Sequence, residues 1–310
     1  MHDDWISALL PDGLPPERRA DCGDCVMCRP DAEPGVRFRP DVKCCGFLPS
    51  LPNFLVGAIL EEGDPRSVRA RVAAGQAGPL GLGVSADYAE RYASADLDFG
   101  LNPSLICPHF EGGRCGIWRH RNAVCRTWWC RFEDGRRGGA FWGALRRLLS
   151  AIELLLARRC AAERAFLPGQ EEAFYRACAA DVAGIGWAEI RALGGFELRF
   201  RLRELRAAQA ALGPSPLPER LELSARDRAV TPNGALRLWG WSPYDPVELP
   251  AELGESLSAF DGRPVAEVLA ALAAPPSPEQ LRRLLDAGVL SEPGQFRVMT
   301  MNSAPKNSSK

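Results

Sequence analysis

Nine of the eleven cysteines fall in two tight sets, and the spacing inside each set is that of metal ligands. The first set is Cys22-Gly-Asp-Cys25-Val-Met-Cys28, followed after a fifteen-residue gap by the adjacent pair Cys44-Cys45. The second runs from Cys107 to Cys115 and ends at Cys125-Arg-Thr-Trp-Trp-Cys130. A thiolate two residues from another reaches the same ion or cluster across one turn of backbone. Four such thiolates complete a tetrahedral zinc site or a cubane. All nine are therefore candidate metal ligands.

The rival chemistry is a disulfide framework, which belongs to secreted domains too small to build a core. A chain of 310 residues with 46% hydrophobic composition can bury a core without staples. The opening Met1-His2-Asp3-Asp4-Trp5 is acidic, with no apolar signal-peptide region after it. No stretch approaches the roughly 20 uncharged apolar residues of a membrane span. These features place the chain, by expectation, in a reducing cytoplasm, with no membrane partner and with its clustered thiols on metal.

A net charge of −1 gives no bulk attraction to nucleic acid or anionic lipid. Around the second cysteine set, however, stand Arg114, Arg119, Arg121, Arg126, Arg131, Arg136 and Arg137. Guanidinium groups among thiols offset thiolate charge and lower thiol pKa values. A phosphate-binding patch with Trp128 and Trp129 as stacking platforms is the alternative. Of the three histidines, His109 and His120 lie inside the second set and could supply an imidazole ligand; the plainer reading is exposed histidine in a basic stretch. No Ser-His-Asp or Cys-His-Asn arrangement can be assembled, so no catalytic residue is assigned.

The Cys22-x2-Cys25-x2-Cys28 run suits three corners of a cubane with a distant fourth ligand, which favours an iron–sulfur cluster or iron. Zinc is the alternative. Trp118, Trp128 and Trp129 would shield such a centre from water.

Residues 1–50 are rich in Pro, Gly, Asp and Cys and read as loop ordered by metal. An apolar segment covers about 51–60, and polar helical stretches cover about 64–74 and 85–95. Gly78, Gly81 and Gly83 lack a phosphate-loop pattern and read as a turn. Apolar residues at three- and four-residue steps predict helices over about 139–165, 170–183 and 196–212. Cys160 and Cys178 continue two of those stripes and are read as core.

Pro214–Pro218 marks the expected boundary between a domain over 1–213, a cysteine-cluster metal-binding unit on a helical scaffold, and a second over 214–301. Strands are expected over about 219–224 and 235–241, with Pro232-Asn233-Gly234 as the turn between them. Short helices are expected over 252–260, 264–273 and 278–287. A last strand is expected at 296–299, before a disordered tail over 302–310. The fold class is α+β, mainly helical, with a loop-rich cysteine-cluster N-terminal domain and a small winged-helix-like C-terminal one.

Residues 20–132 resemble the YkgJ-like family of zinc- or iron-chelating cysteine-cluster proteins. The likeness rests on the first cysteine group with its Cys44-Cys45 pair, and on Cys115, Ile117, Trp118, Arg121 and Cys125-Arg126. Trp118 stands where that family has Tyr, Asn122 follows Arg121 where it has Pro, Cys44-Cys45 lies far from Cys28, and Cys130 is an added thiol. The resemblance implies metal binding, structural or redox in role, and no particular activity.

The run from Leu257 to Leu290 is similar to a PqqD-like winged-helix peptide-recognition domain. That likeness implies a peptide or protein partner captured by strand addition near Leu236, Leu238, Trp239 and Trp241. The chain would then be an accessory protein of a peptide-modifying system. A metal-dependent nucleic-acid-binding regulator is the third reading, weakened because Arg282 and Arg283 are the only basic residues of the last helix.

Overall fold

The computed structural model describes residues 1–17, 23–28, 37–63, 65–95, 98–129, 132–212, 217–231, 233–242 and 244–294. The fold is mixed α+β and mainly helical, with its strands in small antiparallel sheets. The chain divides into two compact units. One holds residues 1–129 and 141–208, the other residues 130–140 and 209–310. Residues 130–140, read with the first domain in the sequence, thus group with the second.

The first unit begins with α1 (His2–Leu9), whose Trp5 and Ile6 are buried. That helix corrects the reading of residues 1–50 as loop. Next come β1 (Leu51–Pro52), α2 (Asn53–Glu62), α3 (Arg66–Ala73), β2 (Ala77–Gly78), β3 (Gly81–Leu82) and α4 (Ala86–Ser94). The glycines at 78 and 81 belong to the tight β2–β3 hairpin, and β1 pairs on its other side. Beyond lie β4 (Phe110–Glu111), β5 (Arg114–Cys115) and α5 (Ala123–Arg126).

The scaffold is α6 (Gly135–Glu163), α7 (Glu171–Ala183), α8 (Trp187–Leu193) and α9 (Gly195–Ala210). The stripe Phe141, Leu145, Leu148, Leu149, Ile152 and Leu156 of α6 is fully buried. Each such side chain contributes about 2 kcal/mol of apolar burial. Cys160 and Cys178 are buried with these helices, as their place in the stripes implies.

Helix α2 is apolar on nearly all sides and packs against α7. A Cβ on Gly57 would stand 2.0 Å from the Tyr175 carbonyl oxygen, so only glycine permits this approach. Tyr175 also donates its hydroxyl to the Gly78 carbonyl at 3.0 Å, and Asn53 donates to the carbonyls of Pro79 and Ala157 at 2.9 Å each. These bonds fasten the hairpin to the helices. The loops that carry the thiols thereby rest on a rigid base.

The second unit contains β6 (Arg220–Leu223), β7 (Asp227–Val230), β8 (Leu236–Trp239), β9 (Val247–Leu249), α10 (Ala251–Ser256), β10 (Asp261–Pro264), α11 (Val265–Ala271), α12 (Pro278–Asp286) and β11 (Leu290–Ser291). Leu221, Leu238, Phe260, Val268, Leu281 and Leu284 form its core. Ser277 and Gln280 close a capping box on α12, with Pro278 in the first turn where its missing N–H costs nothing. The three short helices expected here are present as α10, α11 and α12, and a strand that was not expected, β10, lies between the first two.

Two expectations about this unit are corrected. The expected turn falls between β7 and β8, where Gly234 donates its N–H to the Thr231 carbonyl, whereas β6 lies between β10 and β11 in another sheet. Strand β8 is the interior strand of β7-β8-β9, so Leu236, Leu238 and Trp239 offer no free edge for strand addition. Trp241 donates its backbone N–H to Ala287 and packs on Gly139 and Phe132, which gives it a packing role. The boundary residues 213–216, the expected strand at 296–299 and the tail lie outside the described residues.

Candidate metal centre

Each thiol is held by backbone geometry that its own neighbours impose. Cys25 and Cys28 flank a single 3-10 turn in which the Cys28 N–H donates to the Cys25 carbonyl at 2.9 Å. Met27 between them is fully buried and anchors the turn. Cys44 and Cys45 lie in a second 3-10 turn that opens on Lys43 at φ 55°, the left-handed region that non-glycine residues rarely occupy. Lys43 is held there by its N–H to the Arg39 carbonyl and by its ammonium to the Gly113 carbonyl, both at 2.9 Å.

Cys107 donates its N–H to the Cys45 carbonyl at 2.7 Å, which joins the two cysteine sets directly. Cys115 ends the β4–β5 hairpin opposite Phe110, turned by Gly112 and Gly113 at φ 57° and 80°. That pair of positive angles is what a two-residue primed turn demands. Cys125 sits in α5, whose cap Asn122 accepts from the Cys125 N–H at 3.0 Å and donates to the Ser50 carbonyl at 3.0 Å. Glu153 of α6 accepts both the Ala123 N–H at 2.7 Å and the His2 ring nitrogen at 2.8 Å. The Cys125 turn is thus tied to both α6 and α1.

The thiols from these four segments act on one another. Cys44 and Cys45 are hydrogen-bonded, so the pair loses its first proton readily and its second with difficulty. That hydrogen bond and the Arg121 charge bring Cys44 down to about 7, while Cys45 is pushed far up. Burial raises Cys107 to about 12, with Cys115 and Cys44 adding like charge. Burial likewise raises Cys125, and Cys107, Cys115 and Cys44 push in the same direction. Cys28 is raised to about 12 by burial and by Cys25, with a smaller contribution from Cys44. Seven cysteines therefore form one electrostatically linked nest.

Three cations border the nest. Lys43 favours the thiolates of Cys28 and Cys44, and Arg121 those of Cys44 and Cys125. Arg121 lies 3.5 Å from the centre of the Trp118 ring and donates to the Cys125 carbonyl at 3.0 Å. The third cation, Arg71, is 2% exposed and favours the Cys107 thiolate. Its guanidinium donates to the Pro49 carbonyl at 3.1 Å, the Gly83 carbonyl at 2.8 Å and Gln76 Oε1 at 2.8 Å. Among the described residues no carboxylate pairs with it. Burial brings its pKa down to about 10, so it remains charged at neutral pH.

Arg71 also decides the role of His109. Arginine can only donate, so at 3.1 Å His109 Nε2 must accept, and the ring proton on Nδ1 then reaches Ser67 Oγ at 2.7 Å. Both ring nitrogens are used and the ring is buried, with its pKa lowered to about 3 by burial and by Arg71. His109 is a structural link, neither an exposed histidine nor a free ligand. His120 is half-buried, with Nε2 3.8 Å from a Glu62 carboxylate oxygen.

Of the arginines expected to balance the thiolates, Arg121 does so. Arg126 pairs with Asp3 at 2.8 Å, and Arg137 pairs with Asp286 at 2.7 Å in the second unit. Lys43, which directly precedes Cys44 in the sequence, and Arg71, which lies far from either cysteine set, take their places. Trp128 packs edge-on against Phe99 and Trp129 tilts against Trp142, so both rings engage other rings.

Cys22 and Cys130 lie outside the described residues. Among the described residues no three Cys, His, Asp or Glu side chains are arranged to hold one metal ion. The described thiols lie near enough for each to raise the cost of ionising its neighbours. In donor chemistry they fit a thiophilic metal: sulfur ligands, basic surroundings and partial shielding from water. In comparisons with known proteins, the chain matches no protein-family model, no curated protein and no solved structure.

Proposed function

We propose that the first unit is a thiolate metal centre. Cys44, Cys45, Cys107, Cys115 and Cys125 supply its principal ligands, joined by Cys25 and Cys28 and, by its spacing, Cys22. An iron–sulfur cluster or iron is the favoured occupant and zinc the alternative. A cluster would supply one-electron transfer, and zinc a structural cross-link.

The observation that carries this reading is the charge balance around Cys107. A buried guanidinium without a carboxylate partner is costly unless another anion accompanies it. The neighbouring thiols provide that anion once they ionise, and their mutual repulsion then calls for a cation at the centre. Four thiolates around a divalent ion or a cubane remain net negative, which Lys43, Arg71 and Arg121 offset. The motif likeness over residues 20–132 points the same way on those residues alone.

Anaerobic purification followed by absorption spectroscopy and elemental analysis tests the proposal. A brown protein with iron and acid-labile sulfide supports the cluster, and a colourless protein with stoichiometric zinc supports the alternative. Protein that stays metal-free after reconstitution with either would refute both.

A further inference from the structure

Helix α9 buries one face and presents the other to solvent. Leu198 and Leu205 are the side chains it buries. Phe196, Phe200, Arg203 and Ala207 recur at steps of four, three and four, and all four are exposed. At 3.6 residues per turn they project from the side opposite Leu198 and Leu205. Phe196 is 75% exposed and Phe200 47%, so two aromatic rings one turn apart stand on the outward pole. Single exposed apolar side chains are ordinary on a protein surface. A stripe at this spacing is the seam that a second helix packs against.

The charges beside the stripe say what that helix carries. Arg199 and Arg206 flank the stripe on one side, and Arg203 lies within it. Among the described residues no carboxylate pairs with any of the three. On the opposite flank Arg201 engages Glu197 at 3.5 Å and Glu204 at 2.9 Å, and Arg147 also meets Glu204. The uncompensated charge along the stripe is therefore positive.

A second copy of this chain fits badly. Antiparallel pairing of the stripe with itself sets Arg199 beside Arg206 of the other copy, and parallel pairing sets Arg203 against its counterpart. Like charges so placed oppose association. A bilayer surface would take the two rings, but Arg203 interrupts an apolar arc that is already narrow. Nucleic-acid phosphates would take the arginines and leave the apolar seam uncovered. A helix with apolar and acidic positions satisfies both halves of the stripe.

We propose that α9 is the docking face for an acidic amphipathic helix of a partner protein. Its apolar side chains cover Phe196 and Phe200, and its carboxylates meet Arg199, Arg203 and Arg206. The ion pairs lie at the rim, so affinity falls as salt is raised.

The test uses the full chain as purified and two synthetic peptides about three heptads long, with leucine at the core positions. One carries glutamate at the flanks and the other lysine. The glutamate peptide should bind, by calorimetry, and protect the amides of residues 196–207 from hydrogen exchange. Phe196→Ser with Phe200→Ser should weaken it at least about tenfold, as loss of anchoring aromatics does. Arg199→Glu with Arg203→Glu should reverse the preference toward the lysine peptide. All of these side chains are exposed, so the variants should keep the circular dichroism and metal content of the unaltered chain. Equal binding of both peptides, binding of neither, or binding indifferent to these substitutions would overturn the proposal. So would tighter binding, lost in the same variants, to phosphatidylserine-containing vesicles or to single-stranded oligothymidylate.

Discussion

The same residue serves two regions of the first unit in opposite ways. In the loop nest, thiols from four segments lie beneath Lys43, Arg71 and Arg121, and each raises the cost of ionising the next. Between α6 and α7, Cys160 and Cys178 are buried in the helical core, with the Cys160 thiol 3.9 Å from the Cys178 carbonyl oxygen. Thiols gathered beside cations favour charge on sulfur, whereas thiols buried in an apolar helical core favour the neutral form. Environment, more than cysteine itself, selects the chemistry.

The largest effect should come from removing sulfur on one side of this comparison only. The double variant Cys45→Ser with Cys107→Ser should lose bound metal almost completely by elemental analysis, and Cys178→Ala should keep it. Equal loss in both would erase the distinction. Next in size is Gly57→Ala, which drives a Cβ into the Tyr175 carbonyl where α2 meets α7. Denaturant unfolding should show a loss of about 3 kcal/mol, the upper part of the range for overpacking.

Arg71→Met tests the nest itself. It strands the Pro49 and Gly83 carbonyls and removes the cation beside Cys107, costing about 2–3 kcal/mol in unfolding experiments. It should also weaken metal retention against a chelator, an effect that a purely structural arginine would not produce. The smallest change belongs to Arg126→Met, whose Asp3 partner is 83% exposed. Its cost should stay below about 1 kcal/mol, with metal content unchanged.

The cysteine spacing and the helical scaffold were readable because both are local. A CxxCxxC run announces itself, and the stripe from Phe141 to Leu156 repeats at helical steps. Arg71 was not readable: it sits in a polar helix that looks solvated, and its acceptors come from residues 49 and 83, gathered only by the fold. Lys43 adjoins Cys44 in the sequence, but the carbonyl that holds its ammonium, Gly113, lies seventy positions away. Helix α1 escaped notice because eight residues with an acidic start offer too few periods, although Trp5 and Ile6 bury it firmly. The strand order in the second unit depends on pairings of two to four residues, too short for alternation to specify. Local periodicity locates elements; long-range partners assign their roles.

The central claim is that the loop thiols hold metal and the helical pair does not. Elemental analysis of anaerobically purified protein, set beside the Cys45→Ser, Cys107→Ser double variant, addresses it most directly. The account predicts stoichiometric iron with sulfide, or zinc, in the unaltered chain and near-zero metal in the variant. Metal-free protein in both, or equal metal in both, would contradict it.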